Sequence, residues 1–327
     1  MKIVAPISNI KEAEMLLHYG ADELYCGVST PEWEEHFGGQ WWMNRRSPFG
    51  ANIITWQSLS KIVELAHAND VPVSVTLNNS YYPAGSKKYL LRLAKKMVSE
   101  LNIDALIVSD IAFLILLREE DIQTKIHLSS VGGCFNSCAV DFFASLGVQR
   151  IILPRQLRIS EIESIVTKKS DEVEFEVFAL NDGCFYEEGF CQTTHAFDTP
   201  FCLINWQIEF CNHSDVIEGM VVDEQLKELQ EYLWYLNNCG CTFQKNGLPN
   251  GPCSLCLFGF FRDWGVKAVK IVGREASFYR KMRSLQLVKA VIDRTREGAT
   301  TDEIREFARS LRETPEYCEK GYMCYFK

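Results

Sequence analysis

Short apolar runs rich in Val and Ile alternate along this chain with longer stretches whose apolar positions recur at helical spacing. The runs fall at 3–6, 23–27, 73–77, 105–110, 125–129, 150–155, 173–178 and 268–273. Most are apolar throughout rather than alternating, which is the mark of parallel strands covered on both faces. Helical patterns fill 10–19, 56–69, 87–101, 137–146 and 160–167. Gly20 and Gly147 stand where a helix has to stop before the next strand. Eight strands with helices between them predict a single α/β (β/α)8 barrel of TIM type, because right-handed crossovers bring the last strand round to the first. A doubly wound open sheet is the competing arrangement.

The alternation breaks once, between the seventh and eighth strands. Residues 179–267 read as a long cysteine-rich insert with one helix, about 223–238. In a barrel this insert covers the C-terminal face, where active sites are built. Loops of this length are uncommon unless they carry function. No repeat, low-complexity tract or linker marks a second unit, so 1–327 reads as one domain.

Apolar residues make up 47% of the chain and charged ones 24%, ample for a large core. The net charge of −9 argues against non-specific nucleic-acid binding and makes RNA an unlikely partner. A local basic patch at Asn44-Arg45-Arg46 is the exception. The N-terminus reaches Pro6 too soon for a signal peptide, and the longest apolar run, Ile111 to Leu117, is far short of a bilayer span. A soluble, cytoplasmic protein with no membrane partner is expected. In that setting the 13 cysteines favour metal binding or thiols over disulfides.

The insert holds Cys184, Cys191, Cys202, Cys211, Cys239, Cys241, Cys253 and Cys256. Clustered thiolates hold soft metals or iron–sulfur clusters, and a cubane needs about four of them. Only Cys253 and Cys256 form a C-x2-C pair, whereas a zinc ribbon calls for two such knuckles. On spacing alone an iron–sulfur cluster, zinc and buried structural thiols all stay open. Cys26, Cys134 and Cys138 read as packing residues, and nothing in the sequence assigns Cys318 or Cys324 a role.

Several segments then carry a family resemblance. They are Ala5-Pro6 with Asn9, Gly20-Ala21-Asp22, Tyr25-Cys26-Gly27, Thr76-Leu77-Asn78, and Ile126-His127-Leu128-Ser129 with Asn136. Further on come Ile152-Leu153-Pro154-Arg155-Gln156, Gly189-Phe190-Cys191, Ser254-Leu255-Cys256 and Lys270-Ile271-Val272-Gly273-Arg274. In this order they resemble peptidase family U32, the collagenase-like peptidases. The resemblance implies a [4Fe–4S] cluster, zinc being the alternative, and oxygen-independent hydroxylation with prephenate as oxygen donor. By position Cys184, Cys191 and Cys256 match cluster ligands, and Cys202 is favoured over Cys211 as the remaining one. Ubiquinone-biosynthesis members of this size work as pairs of barrels, so a second U32-type subunit is an implied partner. Other members hydroxylate RNA bases. The sequence departs from the family at Leu180-Asn181, where His-Gly is usual, and at Arg155-Gln156, where Arg-Glu is usual.

Candidate site residues follow from the ends of the predicted strands. Arg155, His127 and Asp110 are the catalytic candidates: a carboxylate clamp, a proton shuttle and a carboxylate that doubles as a helix cap. His127 reads more readily as a hydrogen-bonded core residue, as a single His in an apolar strand usually is. Asn78, Ser129, Ser130 and Arg274 are substrate-binding candidates, and Trp41 and Trp42 form a possible lid over an aromatic substrate. Proteolysis lacks a G-x-S-x-G or H-E-x-x-H motif and would need Cys191 or Cys211 paired with His195 or His213. The leading expectation is an iron–sulfur hydroxylase or related redox enzyme acting on a small molecule. A U32-type peptidase, a non-catalytic cluster-bearing subunit and an RNA-base hydroxylase are the alternatives.

Overall fold

A computed structural model describes residues 1–38, 41–181, 243–321 and 323–326, together with Gly183, Lys227 and Gln230. All eight predicted strands are present: β1 (Lys2–Pro6), β2 (Glu23–Val28), β4 (Val73–Leu77), β5 (Ala105–Val108), β6 (Lys125–Leu128), β7 (Arg150–Ile152), β8 (Glu174–Leu180) and β9 (Ala268–Ile271). Every pairing among them is parallel, and β1 pairs with both β2 and β9, so the sheet closes on itself. A closed barrel has no open edge, which excludes the doubly wound alternative. A short strand absent from the sequence reading, β3 (Asn52–Ile53), pairs with the end of β2 beyond the point where β1 stops at Pro6.

The strands are apolar because both faces are covered. Leu24, Cys26, Val75, Leu106, Leu128, Phe175 and Val269 are all completely buried. The helices start where their caps dictate: the Asn9, Thr55, Asp110 and Asn136 side chains accept hydrogen bonds from backbone N–H groups of the first turn. The barrel layer resumes before Ala268. A turn at Leu255–Leu257 and a helix at Phe258–Trp264 lie in the region read as insert, and Phe258 and Phe261 are fully buried in the core. Helices Phe278–Arg296, Thr301–Arg312 and Pro315–Lys320 follow β9. The chain then turns back, and Cys324 pairs with Cys253, itself bridged to Leu180 at the end of β8. The C-terminal segment is thereby fixed at the barrel mouth, with Phe326 packed against Phe261.

Candidate active site at the barrel mouth

Parallel strands put all their C-terminal ends at one face, and most candidate residues gather there. Arg274, just past β9, is 4% exposed. Its guanidinium donates to Asn52 Oδ1 at 3.0 Å, Asn44 Oδ1 at 2.9 Å and the Ala51 carbonyl at 3.4 Å. These acceptors are neutral, and burial pulls the Arg274 pKa down to about 10, still a cation at neutral pH. Gly27 makes the approach possible: a Cβ there would lie 1.6 Å from the Arg274 guanidinium nitrogen. Asn44 also donates to the Val28 carbonyl and to Asn52, so the loop after β2 is clamped to β3 and β9 together. The sequence marked Asn44 only as part of a basic patch and gave Asn52 no role, since polar residues in a loop carry no periodic signal.

Arg155, just past β7, is 8% exposed, and its guanidinium lies over the Phe178 ring, 3.7 Å from the centroid. Tyr325 from the C-terminal segment flanks the same cation at 5.9 Å. Asn78 donates to Ser129 Oγ at 3.0 Å. Its own carbonyl oxygen is buried without a hydrogen-bond partner among the described residues, so it stands ready to accept from a ligand. Ser130 is buried in the short turn that follows. Asn78, Ser129, Ser130, Arg155 and Arg274 thus share the mouth.

The remaining candidates are placed differently. Asp110 accepts from the backbone N–H of Phe113 at 2.8 Å and of Tyr82 at 3.0 Å, so its carboxylate caps a helix and pins a neighbouring loop. His127 lies inside the barrel and lines a cavity of about 180 Å3 with Lys2, Glu23, Lys125 and Arg150, which belong to the opposite end of the strands. Burial, reinforced by the Arg150 charge, lowers its pKa to about 3, which keeps the imidazole neutral. Trp41 meets Tyr81 edge to face at 4.9 Å, and its carbonyl accepts from Trp33. The Trp42 carbonyl accepts from Asn79 at 2.8 Å. This segment is therefore tethered to the loop after β4.

Below the mouth lies a network of paired charges. Arg150 contacts Glu23 at 2.5 and 3.0 Å, Glu174 at 2.6 Å and Glu176 at 3.3 Å, and Lys270 contacts Glu176 at 2.8 Å. Burial alone would raise the Glu23 pKa, but the bonds from Arg150 and Lys2 outweigh it and bring it to about 2. Lys270, a strand residue with open prospects in the sequence, is occupied by Glu176 and by the Tyr25 ring at 3.9 Å.

Of the expected cluster ligands, Cys184, Cys191 and Cys202 lie outside the described residues, as do Cys211, His195 and His213 of the proteolytic alternative. Cys256 is described and shares a cavity with Cys253, Cys318 and Cys324. Burial, with these neighbouring thiols, pushes the Cys256 thiol up to about 12. None of the seven described cysteines is in a disulfide. Among the described residues no three His, Cys, Asp or Glu side chains already stand together as a metal site. No described helix is long and apolar enough to cross a membrane.

The chain is a closed parallel α/β barrel, a class that builds its sites at the C-terminal face, and here that face carries arginines and amides. The family model described as Peptidase family U32 matches residues 8–327, and the chain belongs to that family. A protein of Escherichia coli K12 named tRNA hydroxylation protein P is 24% identical over 98% of this chain and 73% of its own length. Its namesake in Helicobacter pylori J99 is 29% identical over 58% of this chain, and the match spans only 42% of that protein. A solved U32 peptidase superposes on 58% of this chain and 74% of its own with a TM-score of 0.42 and 13% identity.

Proposed function

We propose that this chain takes part in hydroxylating a base of tRNA, in the cytoplasm, and that the barrel mouth holds the nucleotide. The expectation that RNA is an unlikely partner gives way to the names of the curated relatives, which are tRNA hydroxylation proteins, and the RNA-base alternative moves forward. The net charge of −9 misled because it averages over the whole surface, whereas a polyanion meets one face. The observation that carries the reading is the concentration of arginine at that face. Arg45 and Arg46 lie in the loop after β2, beside the buried Arg274, and Arg155 lies across the mouth. Phe49 in the same loop is 83% exposed, an aromatic face next to cations, which is the pairing that single-stranded RNA bases stack upon.

In this reading Arg45 and Arg46 hold backbone phosphates, and the carbonyl of Asn78 accepts from an amino or imino group of the base. Arg155 orients a carboxylate of the oxygen donor, a role that suits a dicarboxylate such as prephenate. A [4Fe–4S] group, when bound, would supply the redox step. The chemistry at Cys256 fits a thiophilic group, since three further cysteines line its cavity. In this reading Asp110, which caps a helix, and His127, which lies in the barrel interior, are given no part in the reaction.

The test is anaerobic incubation of the purified protein with tRNA and prephenate, followed by nucleoside mass spectrometry. A hydroxylated pyrimidine nucleoside is expected. In parallel, Arg45→Ala with Arg46→Ala should weaken tRNA binding and flatten its salt dependence by about one to two counterions. A protein that neither binds nor modifies tRNA under these conditions sinks the reading.

A further inference from the structure

We propose that the hollow at the N-terminal end of the barrel is a binding site for a small, singly charged carboxylate, separate from the mouth and independent of the tRNA reading. Two rows of side chains build it across neighbouring strands. Ser74 on β4, Ala105 on β5 and Lys125 on β6 stand in register, as do His127 on β6, Arg150 on β7 and Glu174 on β8. Successive strand residues alternate between faces, so Lys125 and His127, two apart on β6, point to the same side. All six residues line one cavity of about 180 Å3, against ~10–15 Å3 for a single water. Ser74 and Ala105 leave this room, since neither side chain is long enough to fill it.

The acids around the hollow already have partners. Arg150 holds Glu23 and Glu174, and Lys2 pairs with Glu23 at 3.1 Å. Asp104 pairs with His67 at 2.9 Å and accepts from the Val73 backbone N–H at 2.7 Å. By contrast, the Lys125 ammonium has no ion pair among the described residues, and it stands at the open end of the cavity. His127 and Ser74 are each 5% exposed, and neither side chain has a hydrogen-bond partner among the described residues. Polar groups at that depth are costly unless something satisfies them. The hollow therefore offers one cation, a neutral imidazole that both donates and accepts, and a hydroxyl. A carboxylate fits this set, with Lys125 as its counter-ion and His127 and Ser74 as donors. An amine does not, because every acid that could receive it is taken. The cations Lys2, Lys125 and Arg150 balance the acids Glu23, Asp104 and Glu174, so one negative charge is admitted and a dianion is repelled. The hollow lies at the opposite end from Arg155 and Arg274, so its ligand is not the reacting substrate. It braces β4 through β8 and stabilises the chain in proportion to its occupancy.

The test is calorimetric titration of the full chain with sodium acetate, L-lactate and pyruvate in turn, with ethanolammonium chloride and sodium phosphate as controls. At least one carboxylate should bind at about one per chain, and neither control should. Lys125→Met removes an exposed, unpaired side chain, so the fold is kept, and binding should weaken about tenfold or more. Ala105→Leu fills the hollow and should abolish binding. Because that core substitution can upset folding, ring-proton NMR of the unaltered chain stands beside it. The His127 resonance, identified by its loss in His127→Gln, should move as the carboxylate is added. Neither heat nor a His127 shift with any of the three carboxylates overturns the proposal. So does binding that Lys125→Met leaves unchanged, which places the carboxylate elsewhere, or preferential binding of ethanolammonium or phosphate.

Discussion

The two ends of this barrel use arginine in opposite ways. At the lower end Arg150 is surrounded by Glu23, Glu174 and Glu176, and Lys270 is matched to Glu176. At the mouth Arg274 is as deeply buried, but its hydrogen bonds go to two asparagine side chains and a carbonyl. The first arrangement neutralises charge inside the protein. The second leaves a fixed positive charge at the C-terminal face, where an anion would gain more from it than in water. Barrels generally keep stability at one end and build their sites at the other.

The sharpest break of this contrast is Arg150→Met. Removing the cation leaves Glu23 with only the half-exposed Lys2 and Glu176 with only Lys270, so unfolding in urea should show a loss of about 3–5 kcal/mol. Protonation of the two acids at low pH should recover part of it. A loss below about 1 kcal/mol would mean that the network is solvated rather than buried.

Gly27→Ala acts on the other end. The added methyl displaces the Arg274 guanidinium, with an overpacking cost of about 1–3 kcal/mol. Its main effect should be a drop in tRNA affinity larger than that of Asn9→Ala, a helix-cap substitution of similar stability cost. Equal affinities for the two variants would remove Arg274 from the mouth's function.

The smallest effect is the best resolved. His127 has its folded-state pKa lowered to about 3 from an ordinary value of 6.5. Above pH 6.5 the imidazole is neutral in folded and unfolded chains alike and adds no pH dependence. As pH falls below 6.5, the unfolded chain takes up a proton that the folded one refuses, so stability falls by about 1.4 kcal/mol per pH unit until about pH 3. His127→Gln should abolish that slope between pH 6 and 5, where Glu23, with its pKa near 2, contributes almost none. A slope that survives the substitution would assign it to other groups.

The strands were the most legible part of the sequence, because a strand covered on both faces has to be apolar at nearly every position. β3 escaped notice since two residues, Asn52 and Ile53, cannot display a pattern. The helix Phe258–Trp264 was hidden by its setting: four aromatic residues in seven show no polar face, and they follow a run of cysteines that pointed to a loop. The position of Asn78, Ser129, Arg155 and Arg274 at the barrel mouth followed from counting to the ends of strands, which works because the topology is regular. His127 sits only one residue before the end of β6, yet its side chain belongs to the barrel interior. Strand position gives height, and side-chain alternation then decides whether a residue faces in or out. That Cys318 and Cys324 line a cavity with Cys253 and Cys256 was not legible, because the tertiary fold brings them together and no spacing rule spans that distance.

Closure of the sheet also has a kinetic side. Lys2 pairs opposite Ala268, so the first strand of the barrel finds one of its two neighbours only after nearly all the others are laid down. Loop-closure entropy makes such a contact slow to form. Until it forms, β1 and β9 present unsatisfied backbone edges, the surfaces that lead partly folded parallel sheets to associate with one another. Refolding yield should therefore depend on protein concentration far more steeply than the stability of the finished barrel would suggest.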